Sequence, residues 1–373
     1  MLYRRFGKTE LPLSVFSFGA MRFLESEENA VLTVREAIRL GINHLETARG
    51  YGKSEQYLGA AFRAGVARHQ VYVTTKIPPT PDRDTMRRHI EDSLGRMGIE
   101  HIDNFDLHGI NTPELLELSL RKGGCLAAVR EAMQEGLIGH LGFSTHGPLE
   151  VILAAINTDE FESVNLHYYY FNQHNAPAIA LAHARDMGVF IISPTDKGGQ
   201  LFQPPVLLEQ ITAPHTPIAI NHRFLLADPR IHTLSLGAAS PAEFAAHMTV
   251  ADQDGPLSDE EKAIFAHLNS RYAEVPDLCG QCYLCLPCPE NIHIPEVLRL
   301  RNLARAFEMN DFARYRYAMF ENAGHWFPGN KANKCTECGD CLPRCPMGLN
   351  IPALLGETHD MLYQGERKRL WGD

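Results

Sequence analysis

The chain has 373 residues, 45% of them hydrophobic, and is long enough for two domains or for one large barrel with an appendage. Its formal net charge of −10 argues against a nucleic-acid partner, because binding nucleic acid requires a basic face. The sequence has no long apolar run and no charged-then-apolar N-terminus, so we expect no membrane span, no secretory signal and a cytoplasmic location.

Short apolar or β-branched runs alternate with longer amphipathic stretches from Val15 to about Met248. The runs predict strands at residues 15–19, 44–47, 71–76, 102–108, 140–144, 163–167, 189–193 and 233–236. The stretches predict helices at residues 28–40, 54–64, 84–97, 126–134, 149–156, 176–187, 217–226 and 241–248.

Repeated strand-then-helix units of this kind are typical of a TIM barrel, which takes about 250 residues in one domain. The alternative is an open doubly wound sheet, which would place a G-x-G-x-x-G loop after its first strand. No such loop follows Gly19. The predicted fold class is therefore α/β, with a (β/α)8 barrel over residues 1–270 and a small α-helical domain over residues 271–373.

Polar side chains lie at or just after the ends of three successive predicted strands. Glu46 lies at the end of the second strand and Tyr51 follows it, Lys76 ends the third, and His108 ends the fourth. In a barrel of this type the carboxyl ends of the strands carry the chemistry. Lys76 is costly to bury unpaired, so Glu46 is its expected counter-ion. We expect the cation to lower the pKa of Tyr51 and to prepare the phenol to donate a proton to a carbonyl that receives hydride.

Each of these residues also has a purely structural explanation. Glu46 could form a salt bridge below the rim, and Tyr51 could be a half-buried aromatic residue with a solvated hydroxyl. The convergence of all four residues favours a catalytic role. The aromatic run 167–171 could line a substrate pocket or pack in the core, and residues 196–199 could bind a pyrophosphate or form a surface turn.

Eight of the nine cysteines form two tight groups near the C-terminus: Cys279, Cys282, Cys285 and Cys288, then Cys335, Cys338, Cys341 and Cys345. The second group has the C-x2-C-x2-C-x3-C-P spacing that holds cubane iron–sulfur clusters in bacterial ferredoxins. The first is one residue shorter before its last cysteine and is also followed by proline. Zinc ligands usually come as separated C-x2-C pairs, and disulfides are not expected in a reducing compartment. The spacing therefore favours two 4Fe-4S clusters.

Each cysteine group leads into a segment that predicts a helix with proline in its first turn, at Pro295 and at Pro352. Residues 297–320, between the groups, are poor in strand formers, which indicates an α-helical module. In two-cluster ferredoxins the fourth cysteine of each group ligates the other cluster. By the same logic, the expected ligand sets are Cys279, Cys282, Cys285 with Cys345, and Cys335, Cys338, Cys341 with Cys288.

Several segments together resemble the aldo-keto reductases. They are residues 3–9, residues 46–52 with Ser54 and Glu55, the strand that ends in Lys76, and the runs 106–108 and 142–144. The resemblance spans about residues 1–250, and the cysteine module resembles the subgroup of this family with a C-terminal ferredoxin-like domain. The resemblance implies a catalytic tetrad in which Tyr51 is the general acid, Lys76 and Glu46 tune it, and His108 orients the substrate carbonyl.

The resemblance also implies a nicotinamide cofactor, with contacts that differ in part from the family pattern. Glu46 replaces the usual aspartate, Thr145 the usual asparagine, and Asn165 the usual glutamine. Residues 191–194 lack the usual stacking aromatic, and Ser240 stands where an arginine often binds the 2′-phosphate, so the choice between NADP and NAD stays open. The residues implied to bind the cofactor are Ser144, Thr145, Asn165, Ser193, Lys197, Gly198, Ser240 and Glu243.

The sequence thus predicts an oxidoreductase that uses NAD(P)H to reduce a small-molecule carbonyl, or oxidises an alcohol in reverse, with two associated 4Fe-4S clusters. Hydride transfer moves two electrons whereas each cluster passes one, and no flavin site is evident. The clusters could exchange electrons with a substrate radical or a redox partner protein, or they could be structural. The alternative is an electron-transfer or redox-sensing iron–sulfur protein whose barrel binds a nucleotide without turnover.

Overall fold

A computed structural model describes residues 1–365, and the structural statements that follow refer to those residues. The strands are β1 Tyr3–Arg5, β2 Pro12–Ser14, β3 Phe16–Gly19, β4 His44–Glu46, β5 Tyr72–Ile77, β6 Ile102–Leu107, β7 Ile138–Ser144, β8 Ser163–Leu166, β9 Gly188–Ile191 and β10 Thr233–Leu236. The helices are α1 Glu27–Arg39, α2 Ser54–Arg63, α3 Arg83–Met97, α4 Pro113–Leu120, α5 Cys125–Gln134, α6 Leu149–Asn157, α7 Ala176–Ala184, α8 Val206–Thr212, α9 Pro217–Leu226, α10 Ala245–Met248, α11 Asp259–Ala273, α12 Ile294–Phe307, α13 Asn310–Tyr317 and α14 Ile351–Leu362.

Strands β3 to β10 form a closed barrel in which β10 pairs with both β3 and β9. Every neighbouring pair in the barrel is parallel, so all the carboxyl ends lie at one rim. The predicted TIM barrel is confirmed, and its predicted strands are present with ends displaced by no more than two residues. This rim gathers the residues that follow β4, β5 and β6 with those that follow β7 to β10.

Hydrogen-bonded polar side chains fill the barrel below the rim. Ser17 Oγ bonds to His44 Nδ1 and to Thr233 Oγ1, each at 2.6 Å, and His44 Nε2 bonds to Thr74 Oγ1 at 2.7 Å. All four side chains are buried. Burial, with a smaller contribution from the charge of Lys76, lowers the pKa of His44 to about 3, so its imidazole is neutral at physiological pH.

Helices α4, α8 and α11 and the hairpin of β1 and β2 were not predicted. Two of these helices carry ordinary start signals in the sequence. Thr112 caps the N-terminus of α4 ahead of Pro113, and Ser258 and Glu261 form a capping box at the start of α11. A search for helix starts would therefore have found both helices.

The chain divides into two compact units. The first comprises residues 1–198 and 221–256 and contains the barrel, and the second comprises residues 199–220 and 257–365 of the part that the structure describes. The predicted boundary between residues 270 and 271 stays a prediction.

The second unit carries the predicted α-helical module. Helices α12 and α14 both begin with proline in the first turn, as predicted, and their N-terminal amides are capped by the side chains of His293 and Asn350. Among residues 1–365, no helix is both long and apolar enough to cross a lipid bilayer.

Candidate functional site

Lys76 and Glu46 form an ion pair at the rim of the barrel, on adjacent strands β5 and β4. Their side chains are only 2% and 5% exposed. The ammonium of Lys76 also donates a hydrogen bond to the carbonyl oxygen of Thr47 at 2.7 Å, and Glu46 Oε2 accepts one from Ser235 Oγ at 3.4 Å. The predicted counter-ion is therefore present, and the longer glutamate side chain reaches the lysine.

Tyr51 and His108 lie beside this ion pair. The Lys76 ammonium lies 5.1 Å from the centre of the Tyr51 ring, which is a cation–π distance. The rings of Tyr51 and His108 meet edge to face with their centres 5.6 Å apart. The structure thus brings together the acid, the phenol, the ammonium and the imidazole that the sequence placed at successive strand ends.

The expected electrostatic effect on Tyr51 is wrong in sign. Burial, together with the negative charge of Asp106, raises the pKa of Tyr51 above its ordinary value instead of lowering it. Two reasons apply, since the phenol is withdrawn from water and the Lys76 charge is already balanced by Glu46. Burial lowers the pKa of Lys76 to about 7, against the opposing effect of Asp106.

Asp106 is a fully buried carboxylate that the sequence analysis did not single out as a site residue. It lies on β6 in register with Lys76, and its oxygens accept hydrogen bonds from Asn104 Nδ2 at 2.9 Å and Asn165 Nδ2 at 2.7 Å. Burial raises its pKa to about 6, and the Lys76 charge opposes this increase. The signal that could have found it is the period of two that puts polar Asn104 and Asp106 on the same face of a strand that ends at the rim.

Three residues predicted to hold the nicotinamide lie at the ends of β7 and β8. Ser144 Oγ accepts a hydrogen bond from the Gly109 amide at 3.1 Å. Thr145 Oγ1 donates to the Ile110 carbonyl at 2.8 Å and accepts from the Gly147 amide at 3.0 Å, so its hydroxyl is occupied by the backbone. Asn165 Oδ1 is buried and, within residues 1–365, has no hydrogen-bond partner, which leaves an acceptor that suits a carboxamide N–H.

The remaining residues predicted to bind the cofactor follow β9 and β10. Ser193 has a left-handed backbone with φ of 51°, and its carbonyl accepts a hydrogen bond from the Lys197 amide at 3.1 Å. Gly198 packs so closely on Pro194 that a Cβ there would collide with the Pro194 carbonyl oxygen, so only glycine fits. The segment 196–199 is thus a tightly folded turn.

After β10, Ser240 precedes a short 3-10 helix that contains Glu243. Glu243 Oε2 accepts hydrogen bonds from Arg22 at 2.8 Å and from the Ala239 amide at 3.1 Å. Arg22 also donates to the Gly237 carbonyl at 2.6 Å. A guanidinium therefore lies beside the segment in which the arginine usual for the family is replaced by Ser240.

The aromatic run 167–171 belongs mainly to the core. Tyr168 and Tyr169 are 6% and 1% exposed, and the Tyr168 ring stacks on Phe224 with the ring centres 5.6 Å apart. Apart from the rim, a pocket of about 520 Å³ lies between α4 and α6, and none of the predicted site residues lines it.

The eight clustered cysteines are arranged in two mixed groups. Burial raises the pKa of the Cys279 thiol, and the nearby thiols of Cys282 and Cys345 add to the increase. Burial likewise raises the pKa of Cys341, with contributions from Cys335, Cys338 and Cys288. Cys288 also shares one pocket with Cys335, Cys338 and Cys341. Cys288 therefore lies among the first three cysteines of the second group, and Cys345 lies near Cys279 of the first group.

The two cysteine groups have different neighbours. Gln281 Nε2 donates hydrogen bonds to Cys279 Sγ at 3.3 Å and to the Pro295 carbonyl at 3.0 Å. Glu337 holds the equivalent place in the second group, one residue before its second cysteine. Gln281 and Glu337 both have left-handed backbones, with φ of 55° and 57°. One thiolate group thus receives an amide donor where the other group has a carboxylate.

Comparison with known proteins places this arrangement in a family. Residues 16–203, about half of the chain, match the model of the aldo/keto reductase family. The chain belongs to the aldo/keto reductase family. Residues 278–350 match the 4Fe-4S dicluster domain, which agrees with two groups of four thiols.

The relatives of this aldo/keto reductase cover part of its length. The chain is 22% identical to an uncharacterized oxidoreductase, YqkF, of Bacillus subtilis over 72% of this chain and 96% of that protein. It is 29% identical to L-galactose dehydrogenase of Arabidopsis thaliana over 51% of this chain and 63% of that protein. The holo form of the aldo-keto reductase AKR11C1 from Bacillus halodurans superimposes with a TM-score of 0.62 at 23% identity, covering 72% and 96% of the two chains. That likeness establishes the shared barrel fold.

Proposed function

We propose that this aldo/keto reductase uses NAD(P)H to reduce the carbonyl of a small molecule, or oxidises the corresponding alcohol in the reverse direction. The observation that carries the proposal is the buried Lys76–Glu46 ion pair beside the edge-to-face rings of Tyr51 and His108. An ion pair buried to this degree is costly to keep, which supports a chemical role for it at a barrel rim.

Each of the four side chains in this site has a separate role in donating the proton. Tyr51 donates its proton to the carbonyl oxygen, and His108 orients that oxygen. Lys76, held in place by Glu46 and Thr47, stabilises the negative charge left on the phenolate. NAD(P)H supplies the hydride when it is bound. The residues that would hold it are Ser144, Asn165, Ser193, Lys197, Gly198, Ser240 and Glu243, with Thr145 fixing the loop between them through its backbone hydrogen bonds.

The proposal includes two 4Fe-4S clusters in the C-terminal module. The thiols of Cys279, Cys282 and Cys285 with Cys345 would hold one cluster, and those of Cys335, Cys338 and Cys341 with Cys288 the other. The placement of Cys345 beside Cys279, and of Cys288 in one pocket with Cys335, Cys338 and Cys341, supports this pairing. Each cluster supplies one-electron chemistry when it is bound.

The test is turnover by anaerobically purified protein with NADPH or NADH and a panel of carbonyl compounds. The panel includes methylglyoxal and a quinone, and the reverse direction includes L-galactose, because relatives of this chain are named for methylglyoxal reduction and L-galactose dehydrogenation. We expect Tyr51→Phe to lower kcat/KM by about 10²- to 10⁴-fold, because it removes the proton donor.

The matched control is Tyr57→Phe on α2, which also loses one hydroxyl. Tyr57 contacts Phe23 through its ring, so the control keeps its packing and should keep its turnover. Nucleotide binding without any Tyr51-dependent turnover would contradict the proposal and favour the redox-sensing alternative.

A further inference from the structure

Asp106 is the second carboxylate of the barrel interior. It is fully buried on β6 in register with Lys76, while Glu46 approaches the same ammonium from β4. On the other side, Gly142 of β7 leaves room for it, because a Cβ at that position would collide with Asp106 Oδ1. Two acidic groups therefore flank one basic group in the buried interior of the barrel.

The charged and titratable groups around Asp106 come from several elements. Lys76 on β5 and Tyr51 after β4 interact with the Asp106 charge, and Glu46 and His44 on β4 lie toward Lys76. His108 follows β6, whereas β7 contributes Gly142 and β8 contributes the neutral Asn165 and Ser163. His44 is neutral because it is buried. Since Glu46 is paired with Lys76, the charge of Asp106 is left to act on Tyr51, whose pKa it raises.

Asp106 also fixes the orientation of a neighbouring carboxamide. Its Oδ2 accepts from Asn165 Nδ2 at 2.7 Å, so the amide nitrogen of Asn165 must face β6 and the carbonyl oxygen must face away. That oxygen is the buried atom that lacks a partner among the described residues. Asparagine at position 106 would offer one acceptor oxygen to two amide donors, those of Asn104 and Asn165, and would therefore let the Asn165 amide turn over.

We propose that Asp106 is a positioning residue: its buried carboxylate, in register with Lys76, sets the alkaline limit of the pH range in which the carbonyl is reduced, and its hydrogen bond presents Asn165 Oδ1 to the cofactor. The inference rests on the proposed function. In the reduction, NAD(P)H would supply the hydride of the new C–H bond and leave as NAD(P)+, the Tyr51 proton would form the O–H bond, and a proton from solvent would restore the phenol.

The test replaces Asp106 by the isosteric Asn. Loss of the negative charge lowers the pKa of both Tyr51 and Lys76, so the alkaline limb of the kcat/KM profile for reduction should move to lower pH. The Kd for NADPH, measured by fluorescence quenching without turnover, should rise about tenfold as the orientation of Asn165 is lost.

Asp103→Asn is the matched control. It removes a carboxylate from the same strand, but Asp103 pairs with Arg68 and with the Val73 amide, so both readouts should stay at the wild-type values. Asp106→Glu keeps the charge and should retain most of the wild-type pH profile. If Asp106→Asn does not fold, the smaller neutral variant Asp106→Ser should change both readouts in the same direction.

A spectroscopic titration separates this inference from the proposed function. The ultraviolet absorbance of tyrosinate, taken as the difference between each protein and its Tyr51→Phe counterpart, reports Tyr51 ionisation without any substrate. We expect ionisation at lower pH in Asp106→Asn. Absence of Tyr51-dependent turnover in the wild type would refute the function, whereas an unchanged Tyr51 titration in Asp106→Asn would refute the role of Asp106.

Discussion

Single charges decide the character of the barrel rim. Lys76 and Glu46 were predictable as a pair because a buried lysine at a strand end needs a counter-ion on a neighbouring strand. Asp106 was not predictable in the same way, since its partners are the amides of Asn104 and Asn165, which carry no charge signal in the sequence. The direction in which the Tyr51 pKa moves depends on the depth of burial, and burial is known only from the folded structure.

Gln281 provides a prediction for one cysteine group. The Gln281 N–H donor to Cys279 Sγ stabilises the more negative, reduced state of a cluster bound there. The variant Gln281→Leu removes this donor. A hydrogen bond of about 1 kcal/mol corresponds to roughly 40 mV for one electron. We expect the midpoint potential of that cluster to fall by this amount in a redox titration followed by EPR.

The control for Gln281 is the equivalent position of the second group. Glu337→Gln removes a negative charge there and should raise the potential of the other cluster while leaving the first unchanged. Equal changes in the potentials of both clusters in either variant would show that the two sites are not separated as proposed.

Strand and helix positions were the most predictable part of the fold. Parallel barrel strands are buried on both faces and give short apolar runs with sharp ends, so β10 was located to the residue and β3 to within one. The N-terminal hairpin of β1 and β2 was missed because strands of three residues are too short to produce a periodic signal. The predicted cofactor turn at residues 196–199 also depends on a local left-handed backbone at Ser193 that no pattern reveals.

The expected pairing, in which the last cysteine of each group ligates the cluster of the other group, can be tested by replacing Cys345. Cys345 lies just before α14, and we expect Cys345→Ala to damage the cluster of the first three cysteines and lower the iron content below about eight per chain. Cys125→Ala is the control, because Cys125 is a buried thiol on α5 outside both groups and its loss should leave the iron content unchanged.

The identity of the damaged cluster follows from adding Gln281→Leu to Cys345→Ala. If the groups are crossed, the surviving cluster is the one near Glu337, and its potential does not respond to Gln281. A surviving cluster whose potential falls with Gln281→Leu would mean that each group binds a cluster alone.

For the whole molecule, buried imidazoles link stability to pH. Burial lowers the pKa of His44 to about 3 and those of His232 and His247 to about 4. These groups stay neutral in the folded state but bind protons in the unfolded chain below about pH 6.5. The contribution of the neutral imidazoles to the free energy of unfolding is fully present above about pH 6.5. It is lost as the pH falls towards 4, by up to about 1.4 kcal/mol per histidine and pH unit.

Thermal unfolding followed by circular dichroism at pH 7 and pH 5 measures this effect. We expect the melting temperature of the wild type to fall more between these values than that of His247→Gln, which lacks one of the three groups. His69→Gln, at an exposed position, serves as the control and should match the wild type. Identical pH slopes in all three proteins would exclude the buried imidazoles as the cause.

The layer of Ser17, His44, Thr74 and Thr233 limits how small molecules can reach the barrel interior. Because these four side chains hydrogen-bond to one another and are buried, they close the barrel interior below Lys76. Substrate, product and the water that restores the Tyr51 proton must then enter and leave through the same opening at the rim. A ligand bound at that opening would block proton exchange between Tyr51 and solvent. The phenol would then keep the protonation state that it had when the ligand bound.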